Sequence, residues 1–190
     1  MLSNPIELAI HQHLSKLTNK DEILSKKVIK GIVKDVEVAL VKQFASKKDR
    51  KFSLRMSNMG KPYCQLWFEK NKPELALPPS SNFIITMLIG DIIEAVFKGL
   101  LRAAKVEYKD GEKATLDLGD GQTIDGTPDI FFGDEVDDIK SASPWSYINK
   151  FKDFNSLAEK DSFGYIEQLV GYAEATNTKP SGWWVVNKGT

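Results

Sequence analysis

The sequence is poor in cysteine, in long apolar runs and in net charge, and each shortage excludes something. One cysteine, Cys64, among 190 residues permits no internal disulfide and no multi-cysteine zinc or iron–sulfur site. A reducing compartment, the cytoplasm, is therefore expected. No window holds the ~18 uninterrupted apolar residues of a membrane-spanning helix, so no membrane role is expected. The opening Met1-Leu-Ser-Asn-Pro-Ile-Glu7 lacks the basic start and apolar core of a secretory signal. Internal repeats and low-complexity tracts are lacking too. At 42% hydrophobic and 27% charged, the composition is that of one folded domain with a modest appendage.

The formal charge of zero, from 26 Lys+Arg and 26 Asp+Glu, conceals a split. Residues 1–72 hold 15 Lys/Arg against 7 Asp/Glu, and residues 73–190 hold 11 against 19. A basic half suits a polyanionic partner, and an acidic half can hold a divalent cation.

Apolar spacing predicts two helices between residues 4 and 46, broken at Thr18-Asn-Lys-Asp21. Lys26, Lys27, Lys30 and Lys34 give the second helix a basic side. It and the charged stretch Lys47–Arg55 form the expected surface for tracking phosphates. A short helix at 62–69 and a proline-rich loop at 71–80 follow. Residues 82–104 read as a long helix, apolar almost all round and hence buried. Strands are expected at 106–108, 114–118, 123–132 and 135–141, then a helix at 161–176 and a closing strand at 183–186. That order predicts an α/β fold with a mixed sheet flanked by helices. The expected boundary separates a helical extension, 1–50, from a core, 51–190.

The acidic hairpin carries the chemistry. Gly133-Asp134 suits a two-residue turn with glycine first. It pairs Phe132 with Glu135, Phe131 with Val136, Ile130 with Asp137 and Asp129 with Asp138. Carboxylates opposed at ~5 Å destabilise a ladder unless something neutralises them. A Mg²⁺ ion does so, and Lys140 emerges on the same face two residues past Asp138. This grouping suits phosphodiester hydrolysis, with the metal activating water and the lysine countering developing charge.

Gly126-Thr-Pro128-Asp129 followed by Asp138-Ile139-Lys140, with Gly90-Asp-Ile-Ile-Glu94 before and Gln168-Leu-Val-Gly-Tyr172 after, resembles the PD-(D/E)XK nuclease superfamily. Within it, the RecB-like and phage lambda-type exonucleases are the nearest in pattern. The resemblance covers about 53–187. It implies a restriction-endonuclease-like core: helix, three-stranded antiparallel meander, helix, strand. It also implies that Glu94, Asp129 and Asp138, with the Ile139 carbonyl, bind Mg²⁺ or Mn²⁺ and that Lys140 is catalytic. Gln168 and Tyr172 would complete the site, and Arg55 and Ser57 would touch phosphate. Apart from the resemblance, the hydroxyl- and aromatic-rich segment that begins at Ser141 and follows the strand reads either as a contact to DNA backbone or bases or as a packed loop. Many RecB-like nucleases hold an iron–sulfur cluster on four cysteines. Cys64 stands alone, so no cluster is expected, and Cys64 is read as a buried apolar side chain. The structural alternatives are a Glu94–Lys98 ion pair and an interior hydrogen-bonding role for Gln168 and Tyr172.

The expected function is a metal-dependent DNA nuclease of recombination or DNA-processing type, an exonuclease before an endonuclease. A DNA-binding member of the fold that does not cleave is the other class. DNA is the expected partner, with a recombination or single-strand-binding protein beside it. Monomer, dimer and trimer are all compatible with the sequence.

Overall fold

A computed structural model describes residues 4–45 and 52–189. The chain runs α1 (Pro5–Thr18), α2 (Lys26–Leu40), α3 (Tyr63–Asn71), α4 (Ser81–Ala103), β1 (Lys109–Asp110), β2 (Ala114–Asp117), β3 (Thr123–Gly126), β4 (Ile130–Phe132), β5 (Glu135–Ala142), α5 (Pro144–Asn149), α6 (Phe154–Lys160), α7 (Tyr165–Thr176) and β6 (Lys179–Asn187). A π-turn, Val41–Ala45, extends α2. Among the described residues, no helix is long and apolar enough to cross a membrane.

Two compact units form, Met1–Lys47 with Ser80–Tyr108, and Lys48–Pro79 with Lys109–Thr190. This division differs from the boundary expected near residue 50. Helix α4 packs with α2, tied by Arg102 Nη2 to Asp35 Oδ2 at 2.6 Å and by Gln43 Nε2 donating to Asp91 Oδ2 at 2.9 Å. Residues 47–51 of the charged stretch Lys47–Arg55 lie outside the described residues.

In the helical unit, Asn4 and Ser25 cap α1 and α2 through their side-chain oxygens, and α1 stops at the expected break. Helix α4 corrects its expectation. Only Ala95, Phe97, Gly99 and Leu101 are buried, while Phe83, Ile85, Met87, Ile89 and Val96 are exposed. An apolar surround does not bury a helix without a facing element.

In the second unit, the four-stranded sheet has the order β1-β4-β5-β6. Strands β1, β4 and β5 are antiparallel neighbours, and β6 joins β5 in parallel, so the sheet is mixed. The expected strand at 123–132 is two strands. Strand β3 pairs with β2 in a separate two-stranded sheet, and β4 starts only after Pro128-Asp129. Pro128 has no N–H to give a ladder, which is the physical reason for the break. The expected strand at 106–108 is absent; the pairing there is Lys109 with Phe131 and Asp110 with Ile130.

Helix α7 packs over β5 and β6, and α5 also packs on both strands. The core gathers Met56, Ile124, Val136, Leu169, Tyr172 and Ala173. Trp183 packs against it, whereas the alternating Trp184 meets the Phe132 ring edge-on at 5.7 Å. Cys64 is exposed on α3, a helix with no buried residue, so the expectation of a buried thiol is corrected.

Candidate active site on the hairpin strand

The expected hairpin register is present: Phe132 pairs with Glu135, Phe131 with Val136 and Ile130 with Asp137. Gly133 has φ +64°, a turn geometry that side chains disfavour. The ladder ends at Ile130, so Asp129 and Asp138 do not pair as strand residues. Instead the Asp129 side chain replaces the missing ladder partner, its Oδ2 accepting the Ile139 backbone N–H at 2.7 Å.

This substitution bears on the Ile139 carbonyl. Continuing the register would set Pro128 opposite Ile139. The N–H and C=O of one strand residue point to the same side. The Ile139 carbonyl therefore faces the edge occupied by Asp129, where Pro128 has no N–H to offer it. Pro128 is itself fully buried, and β1 runs close by. A Cβ on Gly111 would stand 1.8 Å from the Pro128 oxygen.

Alternation places Asp138 and Lys140 on one face of β5. Asp138 is 2% exposed, and its Oδ2 is ion-paired with Lys140 Nζ. Burial pulls the Lys140 ammonium down, but Asp138 and then Asp129 pull it further up, so it stays protonated beyond the ordinary lysine range. Two carboxylates thus converge on one cation. Ser141 falls on the opposite face of β5 from Lys140 by the same alternation, half-buried and paired with Val186.

Helix α7 brings Gln168 and Tyr172 together as their i, i+4 spacing requires. Gln168 Nε2 donates to the Tyr172 hydroxyl at 2.9 Å. Burial pushes Tyr172 up to about 12, while the Gln168 hydrogen bond opposes the shift. Asp138, Asp129 and Lys140 all act electrostatically on this hydroxyl, so it belongs to the same cluster.

Arg55 and Ser57 are exposed on either side of the fully buried Met56. Arg55 Nε donates to Ser53 Oγ at 3.3 Å, and Ser57 Oγ to Asn58 Oδ1 at 3.4 Å. Arg55 lines a 270 Å³ cavity with Phe52, Asn58 and Glu69. Glu94 stands on α4 in the helical unit, its Oε1 accepting from Lys98 Nζ at 2.8 Å, the ion pair anticipated as its structural role. Among the described residues, no group of three or more His, Cys, Asp or Glu side chains gathers as a metal cluster. A 430 Å³ cavity lined by Lys109, Lys113, Phe131 and Thr176 carries none of the expected site residues.

Two residues beside the cluster escape the motif reading. The Tyr165 ring has the Lys140 ammonium 5.0 Å from its centroid. Its signal was available, since Tyr165, Gln168 and Tyr172 form an i, i+3, i+7 stripe on α7. Asp137, on the other face of β5, is 5% exposed. Burial raises its carboxyl to about 6, opposed by a hydrogen bond from Ser181, reinforced by the Glu135 charge and opposed again by Trp184. Strand alternation gave no sign of it, because a charge on the second face of a strand reads as solvent-exposed.

No family model, curated protein or solved structure matches the chain.

Proposed function

We propose that the chain is a Mg²⁺- or Mn²⁺-dependent DNA nuclease of the PD-(D/E)XK kind, built on a restriction-endonuclease-like core and acting from DNA ends. The observation that carries this reading is the buried Asp138–Lys140 pair beside an Asp129 that takes the Ile139 N–H. Asp129, Asp138 and the Ile139 carbonyl form a hard oxygen set. Mg²⁺ is commonly held by one or two carboxylates while it keeps water and takes phosphate oxygens. The donors therefore fit that ion by their chemistry. Glu94 is the further carboxylate that the family pattern implies, and in its own unit it is paired with Lys98.

When bound, the ion supplies a polarised phosphate and a water of lowered pKa. Asp129 and Asp138 orient that chemistry through their fixed oxygens. Lys140 would counter the negative charge developing on the phosphate with its ammonium group. Gln168 and Tyr172 brace the cluster from α7, with the high Tyr172 pKa keeping its hydroxyl neutral.

The test uses end-labelled linear DNA and closed circular DNA, each with Mg²⁺, Mn²⁺ or EDTA. Metal-dependent loss of the linear form alone is expected from the wild type, and none from Asp138→Asn. Nicking of circles would reassign the chain to an endonuclease on the same core. DNA binding without cleavage would make it a non-cleaving member. Neither binding nor cleavage would overturn the nucleic-acid reading.

A further inference from the structure

The rings of Phe151, Phe163 and Tyr165 gather at the start of α7. Phe163 and Tyr165 stack with centroids 5.6 Å apart and planes 15° from parallel; Phe151 and Tyr165 do so at 5.8 Å and 25°. Two ammonium groups lie on these rings. Lys150 Nζ is 4.5 Å from the Tyr165 centroid and 5.0 Å from that of Phe163, and Lys140 Nζ is 5.0 Å from Tyr165. Tyr165 thereby connects the stack to the Asp138–Lys140 pair.

The other end of the stack is open. Phe163 is 61% exposed although it packs in parallel on its neighbour. Two nearby acids, Asp161 and Asp153, are engaged within the protein. Asp161 accepts from the Phe163 and Ile166 N–H groups and lies 3.8 Å from Lys150. Asp153 caps α6 by accepting from Ser156 N–H at 2.8 Å. Lys152, next to Phe151, is exposed. Lys140 and Lys150 lie over the rings and are themselves paired with Asp138 and Asp161, so the exposed groups of this patch are the Phe163 ring and Lys152, an aromatic surface with a cation nearby that suits a stacked base and its phosphate.

We propose that this stack is a base-binding subsite in which an unpaired nucleotide lies on the open face of Phe163, so that the substrate presents a single-stranded end to the Lys140 site. A base inside a duplex has both faces covered by its neighbours, whereas an unpaired base offers a face to an aromatic ring. The two ring distances keep the Phe163 centroid within about 11 Å of the Lys140 ammonium. At ~3.4 Å per stacked nucleotide, the bound base would lie within about three nucleotides of the reacting phosphate. The inference rests on the nuclease reading for its site, but its binding step is tested without cleavage.

In EDTA, the affinity of the whole chain is measured for fluorescein-labelled oligothymidylate and for blunt duplex, with Phe163→Ala and Phe163→Trp alongside the wild type. Phe163→Ala should weaken single-strand binding about tenfold. Phe163→Trp should retain it, and duplex affinity should stay within about twofold. A 2-aminopurine placed about three nucleotides from the end should be quenched by the wild type and not by Phe163→Ala. Unchanged single-strand binding in Phe163→Ala overturns the subsite. Loss of self-association by that variant in sedimentation, with DNA binding intact, reassigns the face to a second copy and also overturns it. If the wild type cleaves with Mg²⁺ while Phe163→Ala binds normally, the subsite alone falls. If no DNA is cleaved yet Phe163→Ala loses single-strand affinity, the nuclease reading falls and the subsite stands.

Discussion

Asp129 accepts the Ile139 backbone N–H at 2.7 Å, one position beyond the last ladder pair of β4 and β5. A carboxylate is thereby fixed by the backbone of the strand that carries Asp138 and Lys140. Proline at 128 keeps its carbonyl but has no N–H, so a continued ladder would leave the Ile139 carbonyl without a donor, and the Ile139 N–H goes to Asp129. The cluster is therefore held by a strand end.

That strand end depends on Gly111, whose Cβ position lies 1.8 Å from the Pro128 carbonyl oxygen. Gly111→Ala must push either β1 or the Pro128-Asp129 segment away. We expect a loss of about 1–3 kcal/mol in urea denaturation. We also expect a weakened Mg²⁺-induced rise in Tm, since the displaced segment carries Asp129. An unchanged denaturation midpoint would show that the close approach is dispensable.

Lys140→Met removes the cation from a carboxylate that is 2% exposed. Breaking such a buried pair on one side costs about 3–5 kcal/mol. Adding Asp138→Asn should recover a large part of that loss, which a double-mutant cycle measures. The lysine pKa is raised in the folded state. Its contribution should be complete below the unfolded value of ~10.5 and be lost as pH rises through the folded value. The wild-type advantage over Lys140→Met should therefore hold through neutral pH and narrow only in strong alkali.

Asp137 titrates in the opposite sense. Its folded carboxyl, raised to about 6 chiefly by burial, binds a proton where the unfolded group is already ionised. Stability should be greatest below ~3.8 as far as this group is concerned, and fall as pH rises through about 6. The fall should be up to about 2 kcal/mol. Asp137→Asn should flatten that portion of the stability–pH curve and raise stability above pH ~7. A curve of unchanged slope in urea titrations across this window would place the buried proton elsewhere.

Much of the hairpin was legible. The glycine-first turn fixed three of the four expected pairs, because a two-residue turn leaves one register. The i, i+4 spacing likewise fixed the Gln168–Tyr172 hydrogen bond. The fourth pair, Asp129 with Asp138, was misread as a strand pair: alternation counts positions and is blind to a missing N–H. The all-round apolar character of α4 said nothing of which half would find a partner.

The sequence by itself determined the turn, the mixed α/β character, and the arrangement of Asp138 and Lys140 on one face. These depend on contacts a few residues apart and on fixed backbone periods. Only the tertiary structure decided that Asp129 holds Ile139, that two carboxylates keep Lys140 charged, and that Tyr165 links that lysine to an exposed aromatic stack. Those outcomes require Asp129 to meet Ile139, 10 positions on, and Lys140 to meet Tyr165, 25 positions on, with water excluded, and no local spacing encodes that burial.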